Sequence, residues 1–153
     1  MQNLSVETFK EEHLSDILRL ERELFDEPYS EETLRRELKL PFSLNLVAKF
    51  NGKTVGYCLS WLISETCELH RIGVKRELQG KGIGRELLNA LIQLASQKGA
   101  REILLEVSQR NEKALSFYRK FGFQKIAERE NYYGKGDGAL LMKFNIGGND
   151  AKR

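Results

Sequence analysis

The chain reads as an α+β protein, a mixed sheet with helices on its faces, and three observations predict this. Between Leu44 and Val74 come strand-like runs broken by turn residues, the clearest being Asn51-Gly52, a strong two-residue hairpin signal. Further on, Ile83, Leu87, Leu88, Leu91, Ile92 and Ala95 recur at helical spacing and share one apolar face. Finally, Glu102-Ile103-Leu104-Leu105-Glu106-Val107 is short and apolar enough for a buried strand. The full order is βααβββαβαββ, in which grouped strands and interspersed helices favour a mixed sheet.

Taken in order, Leu4 to Phe9 alternates as a first strand, and Glu12 to Phe25 predicts an amphipathic helix with Leu14, Ile17, Leu18, Leu20 and Leu24 apolar. Asp26-Glu27-Pro28-Tyr29 breaks it. Ser30 then caps a second helix with Glu31 and Glu32 in its first turn, and that helix ends before Pro41. Leu44 to Phe50, Thr54 to Ile63 and Thr66 to Val74 form an antiparallel meander. The third helix stops at Lys98-Gly99. After the strand at 102–107, Asn111 caps a short helix carrying Ala114, Leu115, Phe117 and Tyr118, and Gly122 ends it. Phe117 and Tyr118 are adjacent and so point two ways, and both are not expected in the core. Phe123 to Arg129 and Ala139 to Phe144 are the last strands, joined by a polar loop from Asn131 to Gly138.

The most informative stretch is Gln79-Gly80-Lys81-Gly82-Ile83-Gly84-Arg85, between a strand ending Ile72-Gly73-Val74 and the third helix. Glycines permit close approach of the backbone to a ligand, and a helix start offers unpaired N–H groups at a positive dipole end. Lys81 and Arg85 add cations. The stretch reads as a pyrophosphate cradle. It matches neither dinucleotide-binding spacing, which needs G-x-G-x-x-G in the first strand–helix unit, nor the phosphate loop with Lys-Ser or Lys-Thr after its last glycine.

At 153 residues, 41% hydrophobic and 31% charged, the chain is ordinary for a soluble globular domain. We expect one domain over 1–146 and a flexible tail over 147–153. A net charge of +3 suits an anionic ligand but not a nucleic-acid surface, so no direct nucleic-acid contact is expected. Cys58 and Cys67 lack metal-site spacing and read as reduced thiols, so no metal is expected. The first ten residues lack an apolar leader and no run reaches membrane-spanning length, which predicts a cytoplasmic protein without a membrane partner.

Q-x-x-G-x-G after a strand ending Ile-x-Val resembles the acetyl-CoA motif of the GNAT superfamily of N-acetyltransferases. Leu105-Glu106-Val107, Asn111, Ala114-Leu115-Ser116-Phe117-Tyr118, Phe121-Gly122-Phe123, Asn131-Tyr132-Tyr133 and Asp137-Gly138-Ala139 are similar to the RimI-type protein N-terminal acetyltransferases. The similarity is firm from Phe42 to Phe144; the first two helices match in pattern only. The resemblance implies the GNAT fold, a mostly antiparallel seven-stranded sheet flanked by four helices and splayed at a cofactor slot. It implies transfer of acetyl from acetyl-CoA to the free α-amine of a protein, typically the N-terminal alanine of a small-subunit ribosomal protein. Oligomeric state is not implied.

The same resemblance distributes roles. Ile72, Gly73 and Val74 would present main-chain groups to the cofactor arm, with a β-bulge there to open the slot and aim N–H groups at a developing oxyanion. Gln79, Gly80, Lys81, Gly82, Ile83, Gly84 and Arg85 would hold its pyrophosphate, and Asn111 would hydrogen-bond the arm. Glu106 would be the general base, partial burial in an apolar strand raising its pKa, and Tyr118 the general acid. Tyr132 and Tyr133, on their loop, and Tyr29 opposite would line the acceptor groove.

Plainer readings stand beside these. Gly73 could serve strand packing, Glu106 could face solvent or pair with Arg110 or Lys125, and Tyr118 could be a core tyrosine. The loop carrying Tyr132 and Tyr133 could fold back on the sheet. His70 and Glu68 share a strand face and could relay a proton, although a hydrogen-bonded strand histidine is the ordinary reading. His70 and Arg71 depart from the small or apolar residues expected in RimI-type enzymes, which bears on acceptor preference. A GNAT enzyme acting on a small-molecule amine or a lysine, or a noncatalytic acyl-CoA sensor, are the alternative functions. An α-amine, with a pKa of about 8 against about 10.4 for lysine, asks less of a carboxylate base.

Overall fold

A computed structural model describes residues 3–147. Its sheet has seven strands in the order β1-β2-β3-β4-β5-β7-β6. In sequence these are β1 (Leu4–Thr8), β2 (Leu46–Phe50), β3 (Lys53–Ile63), β4 (Thr66–Val74), β5 (Glu102–Ser108), β6 (Gln124–Gly134) and β7 (Asp137–Asn145). The helices are α1 (Leu14–Leu24), α2 (Glu31–Lys39), α3 (Ile83–Gln97) and α4 (Glu112–Phe121). All neighbouring strands are antiparallel except β4 and β5. The flexible tail expected over 147–153 falls, apart from Gly147, outside the described residues.

Local chemistry explains most boundaries. The Asn51-Gly52 turn has φ of 52° and 80°, as a two-residue hairpin with both residues in the left-handed region requires. Ser30 Oγ accepts from Thr33 N–H at 3.1 Å, the N-cap expected of it. Some boundaries moved. The first helix opens with a 3-10 turn, Glu11–His13, and β2 starts at Leu46; Leu44 N–H still donates to Ser60 O, but Ser60 N–H goes to Asn45 Oδ1 instead of back to Leu44. The largest change is at β6, which runs to Gly134. Tyr132 and Tyr133 therefore stand on an extended arm of this strand, not on a loop.

Two apolar layers cover the sheet. On one face Leu87, Leu88 and Leu91 of α3, with Leu115 and Tyr118 of α4, pack on Cys58, Cys67, Leu69, Ile103, Leu105 and Val107. On the other, Ile17 and Leu20 of α1 and Leu34 of α2 pack on Val47, Tyr57 and Leu59. Tyr118 joins the first layer and Phe117 packs against it, so both rings contribute to one core, contrary to expectation. Their centroids are 5.3 Å apart, and the Phe117 ring fills the space that a side chain at Gly84 would occupy.

The sheet splits where the site lies. β4 and β5 pair only at Thr66↔Glu102, Cys67↔Ile103 and Glu68↔Leu104, though both strands continue well beyond. Past Glu68 and Leu104 the two strands part. A bulge in β4 accompanies the split, but at His70 and not at Ile72-Gly73-Val74. Ser60 pairs with Leu69 and Leu59 with Arg71, leaving His70 as the extra residue.

Candidate active site

The bulge decides which side chains of β4 face the α1–α2 side. Cys67 and Leu69 enter the α3 layer, so alternation sends Glu68 and His70 to the α1–α2 face. The extra residue at His70 interrupts the alternation. Arg71 consequently reaches this face too, bonding to Glu21 of α1, and Gly73 lies against the Tyr57 ring there. A Cβ on Gly73 would stand 3.0 Å from Tyr57 Cε1, Cζ and the hydroxyl, so this glycine has a packing cause of its own. His70 Nε2 lies 3.2 Å from Glu68 Oε1, and its ring meets Trp61 edge-on at 4.5 Å. It is a hydrogen-bonded strand histidine.

Across the gap, Leu105 and Val107 point into the α3 layer, so Glu106 points to the α1–α2 face. Its side chain is 32% exposed, and its ion-pair partner is Arg129, Oε1 to Nη2 3.8 Å. The partners considered from sequence are otherwise engaged. Arg110 donates to the carbonyls of Gly136 and Lys135, and Lys125 pairs with Glu128.

The β6 arm comes near Glu106 at Arg129 and Tyr133. The ladder with β7 is interrupted between Arg129 and Gly134, with Asn131 in the left-handed region at φ 54°. Tyr132 and Tyr133 are 52% and 48% exposed, their rings edge-to-face at 5.1 Å. Partial burial and the nearby Glu106 carboxylate both raise the Tyr133 phenol pKa. Arg129 lies 5.3 Å over the Tyr132 ring, and a hollow of about 270 Å³ opens beside the arm, lined by Gln109, Glu128, Arg129, Glu130, Asn131 and Gly138. Tyr29, between α1 and α2, is half-buried, and its N–H donates to Glu21 Oε1 at 2.7 Å.

Tyr118 lies on the opposite face of the sheet from Glu106, in the α3–α4 layer, 8% exposed. Burial pushes its phenol pKa well up, and the neighbouring Cys58 adds to this. The residue is therefore a proton carrier across the neutral range. Groups on opposite faces of the sheet can reach one ligand only where the strands part, and β4 and β5 part beyond Glu68 and Leu104.

The glycine-rich stretch divides by role. Gly80 and Gly82 have φ of 78° and 92°, and a Cβ on either would meet nothing within 4 Å, so both front open space. Gly82 is the N-cap of α3 without a side-chain cap, leaving the N–H groups of the first turn free, and Lys81 and Arg85 are exposed beside it. Ile83, Gly84 and Arg85 belong to that turn. An uncapped helix start with open glycines and flanking cations fits a pyrophosphate. Gly84 does something else, allowing Phe117 to approach within 3.1 Å of its missing Cβ. Gln79 does not turn its side chain to the cradle either. It donates to Val74 O at 2.9 Å and accepts from Lys113 Nζ, tying the strand end to α4. Asn111 caps α4 through its carbonyl oxygen, 3.1 Å from Ala114 N, so its amide NH₂ is the half left for a ligand. Among the described residues no cluster of His, Cys, Asp or Glu could hold a metal.

Comparison with known proteins agrees with this geometry. The family model for the acetyltransferase (GNAT) family matches residues 14–123. The chain belongs to this family. It is therefore an N-acetyltransferase by membership, with the seven-stranded GNAT sheet. A Mycobacterium tuberculosis protein named N-alpha-acetyltransferase RimI is 38% identical over 84% of this chain and 84% of its own length. The Escherichia coli ribosomal protein bS18-alanine N-acetyltransferase is 31% identical, covering 78% of this chain and 82% of that protein. A crystal structure of the ribosomal-protein-S18-alanine N-acetyltransferase from E. coli superposes with a TM-score of 0.85, covering 94% of both chains at 26% identity.

Sequence reasoning missed Glu21, Tyr57 and Arg129. Glu21 is fully buried on α1, Tyr57 donates its hydroxyl to it, and Arg129 pairs with Glu106. A carboxylate at position 21, in line with the apolar residues Ile17 and Leu24 on a helical face, was the available signal for the first.

Proposed function

We propose that this enzyme transfers acetyl from acetyl-CoA to the α-amine at a protein N-terminus, the alanine of a small-subunit ribosomal protein being the favoured acceptor. One observation carries the reading. Glu106 points to the α1–α2 face beyond the last β4–β5 pair, its carboxylate near the Tyr133 phenol, and Tyr29 packs on the same face of the sheet. Exposed aromatic rings beside such a carboxylate suit a peptide end better than a compact amine. The names of the M. tuberculosis and E. coli relatives support the same acceptor class.

Acetyl-CoA supplies an activated thioester, and the chain's residues do the rest. The free N–H groups at the start of α3, with Gly80, Gly82, Lys81 and Arg85, hold the pyrophosphate, and the main chain at Ile72-Gly73-Val74 and the Asn111 amide align the arm. Glu106 accepts the proton of the α-ammonium, directly or through water. A carboxylate suits an amine whose deprotonation near neutral pH costs about 1 kcal/mol, against roughly 4–5 kcal/mol for lysine. Tyr118, kept protonated by burial, delivers a proton to the departing thiolate. Retention of both groups favours an enzyme over a sensor, which needs neither. The domain is proposed to span 1–146.

The test is an acetyl-CoA assay on peptides beginning Ala, Ser, Met or Thr, each with its α-amine free or blocked. Acetylation confined to free α-amines, strongest with Ala, is expected. Equal acetylation of blocked, lysine-containing peptides would overturn the assignment.

A further inference from the structure

The α1–α2 segment that forms the Tyr29 wall has little regular structure, yet it is tied to the sheet by one buried ionic assembly. Glu21, 0% exposed, accepts from three donors: Arg71 Nη1 at 3.0 Å, the Tyr29 N–H at 2.7 Å and the Tyr57 hydroxyl. The Tyr57 phenol pKa is raised by burial and by that carboxylate, so it remains a donor. A buried carboxylate is tolerable only with such compensation. The Arg71 guanidinium, 16% exposed, lies 4.0 Å from the Phe25 ring centroid and 4.0 Å from that of Tyr29. It is thus held between two aromatic rings at either end of Phe25–Tyr29. Arg71 reaches this position because the His70 bulge turns it to the α1–α2 face.

We propose that Arg71 is a positioning residue for the acceptor. By stacking between Phe25 and Tyr29 while bound to Glu21, it sets the place and rigidity of the Tyr29 wall and so governs acceptor affinity and the selectivity for its first residue. This rests on the reading of Tyr29 as an acceptor wall. The cation is consumed by Glu21 and two rings, so it does not act as a free charge toward an acidic acceptor. Lysine cannot replace it fully, since an ammonium can pair with Glu21 but cannot offer a plane to two rings at once.

The experiment compares wild type with Arg71→Lys and Glu21→Gln. It measures peptide KM, kcat and acetyl-CoA KM, together with amide hydrogen exchange over Phe25–Ser30. Peptide KM is expected to rise about tenfold in R71K, with kcat and acetyl-CoA KM within about twofold. Exchange at the Tyr29 amide should speed up in both variants while the sheet amides keep their protection. Should E21Q not fold, R71K alone carries the test, because it retains a cation for the buried carboxylate. Unchanged peptide KM and unchanged Tyr29 exchange in R71K would overturn the proposal. So would an equal rise in both KM values, which marks a general structural role. A wild type that acetylates only lysine would instead overturn the proposed function, and the exchange measurement would still judge the clamp.

Discussion

Arg129 Nη2 stands 3.8 Å from Glu106 Oε1, and the same guanidinium lies 5.3 Å over the Tyr132 ring. One cation thus links the carboxylate proposed as base to the aromatic arm proposed to hold the acceptor. The link is built from β5 and β6, which are not neighbours in the sheet but both pair with β7.

Replacing Glu106 with Gln keeps the shape and removes the proton acceptor. We expect kcat to fall by about 10²- to 10⁴-fold, with acetyl-CoA affinity unchanged. Stopped-flow or single-turnover assays with calorimetric binding would check this. A variant retaining more than about a tenth of wild-type turnover would remove Glu106 from the mechanism.

Tyr118→Phe should lower kcat without changing the shape of its pH profile. Burial raises the phenol pKa above its ordinary value near 10, so Tyr118 stays protonated at every pH below that value. An alkaline limb between about pH 8 and about pH 9 that vanished in Y118F would contradict this sign.

Stability should decline on the alkaline side before the tyrosines matter. Burial pushes Cys58 from about 9 up to about 12 and Cys67 up to about 11. Raised native values mean that the unfolded chain releases these protons first. The contribution is complete below about pH 9 and is lost as pH rises through the native values, by at most about 1.4 kcal/mol per pH unit per thiol. Urea midpoints from about pH 8 to about pH 11 would show it, and the decline should be shallower in the Cys58→Ala, Cys67→Ala double variant.

The cradle glycines should fail for different reasons. Ala at Gly84 pushes on Phe117 from 3.1 Å and should cost stability by about 1–3 kcal/mol. Ala at Gly82 meets no atom but must adopt φ 92°, and should weaken acetyl-CoA binding more than it weakens the core. Denaturant unfolding and cofactor titration together separate the two, and identical losses at both positions would refute the division.

Removing the rings of Tyr132 and Tyr133 together should raise peptide KM by about tenfold or more while leaving acetyl-CoA KM in place. Initial-rate kinetics with both substrates varied is the measurement. A change confined to acetyl-CoA KM would place the arm on the donor side.

Much of this was legible beforehand. Asn51-Gly52, the Ser30 and Asn111 caps and the apolar stripe of α3 were readable because a turn or helical face depends on neighbours a few positions away. Glu106 and Tyr118 were singled out through the motifs around them, but their placement on opposite faces of the sheet was not part of that reading. The arm at Tyr132 was misread as a loop because Asn, Gly and Lys residues signal a turn wherever they stand, while pairing to β7 extended the strand. Gln79 was given to the cradle by the resemblance, which does not show that its side-chain amide bonds Val74 O and Lys113.

Residue pattern alone determined the order of elements and the α+β class, since periodicity and turn chemistry are local. Tertiary structure decided the bulge at His70, the packing duty of Gly84 and the burial of Glu21. These depend on partners remote in the chain. Tyr57 lies 36 positions from Glu21 and Arg71 lies 50, and only the pairing of β3 with β4 under α1 brings their polar groups to one buried carboxylate.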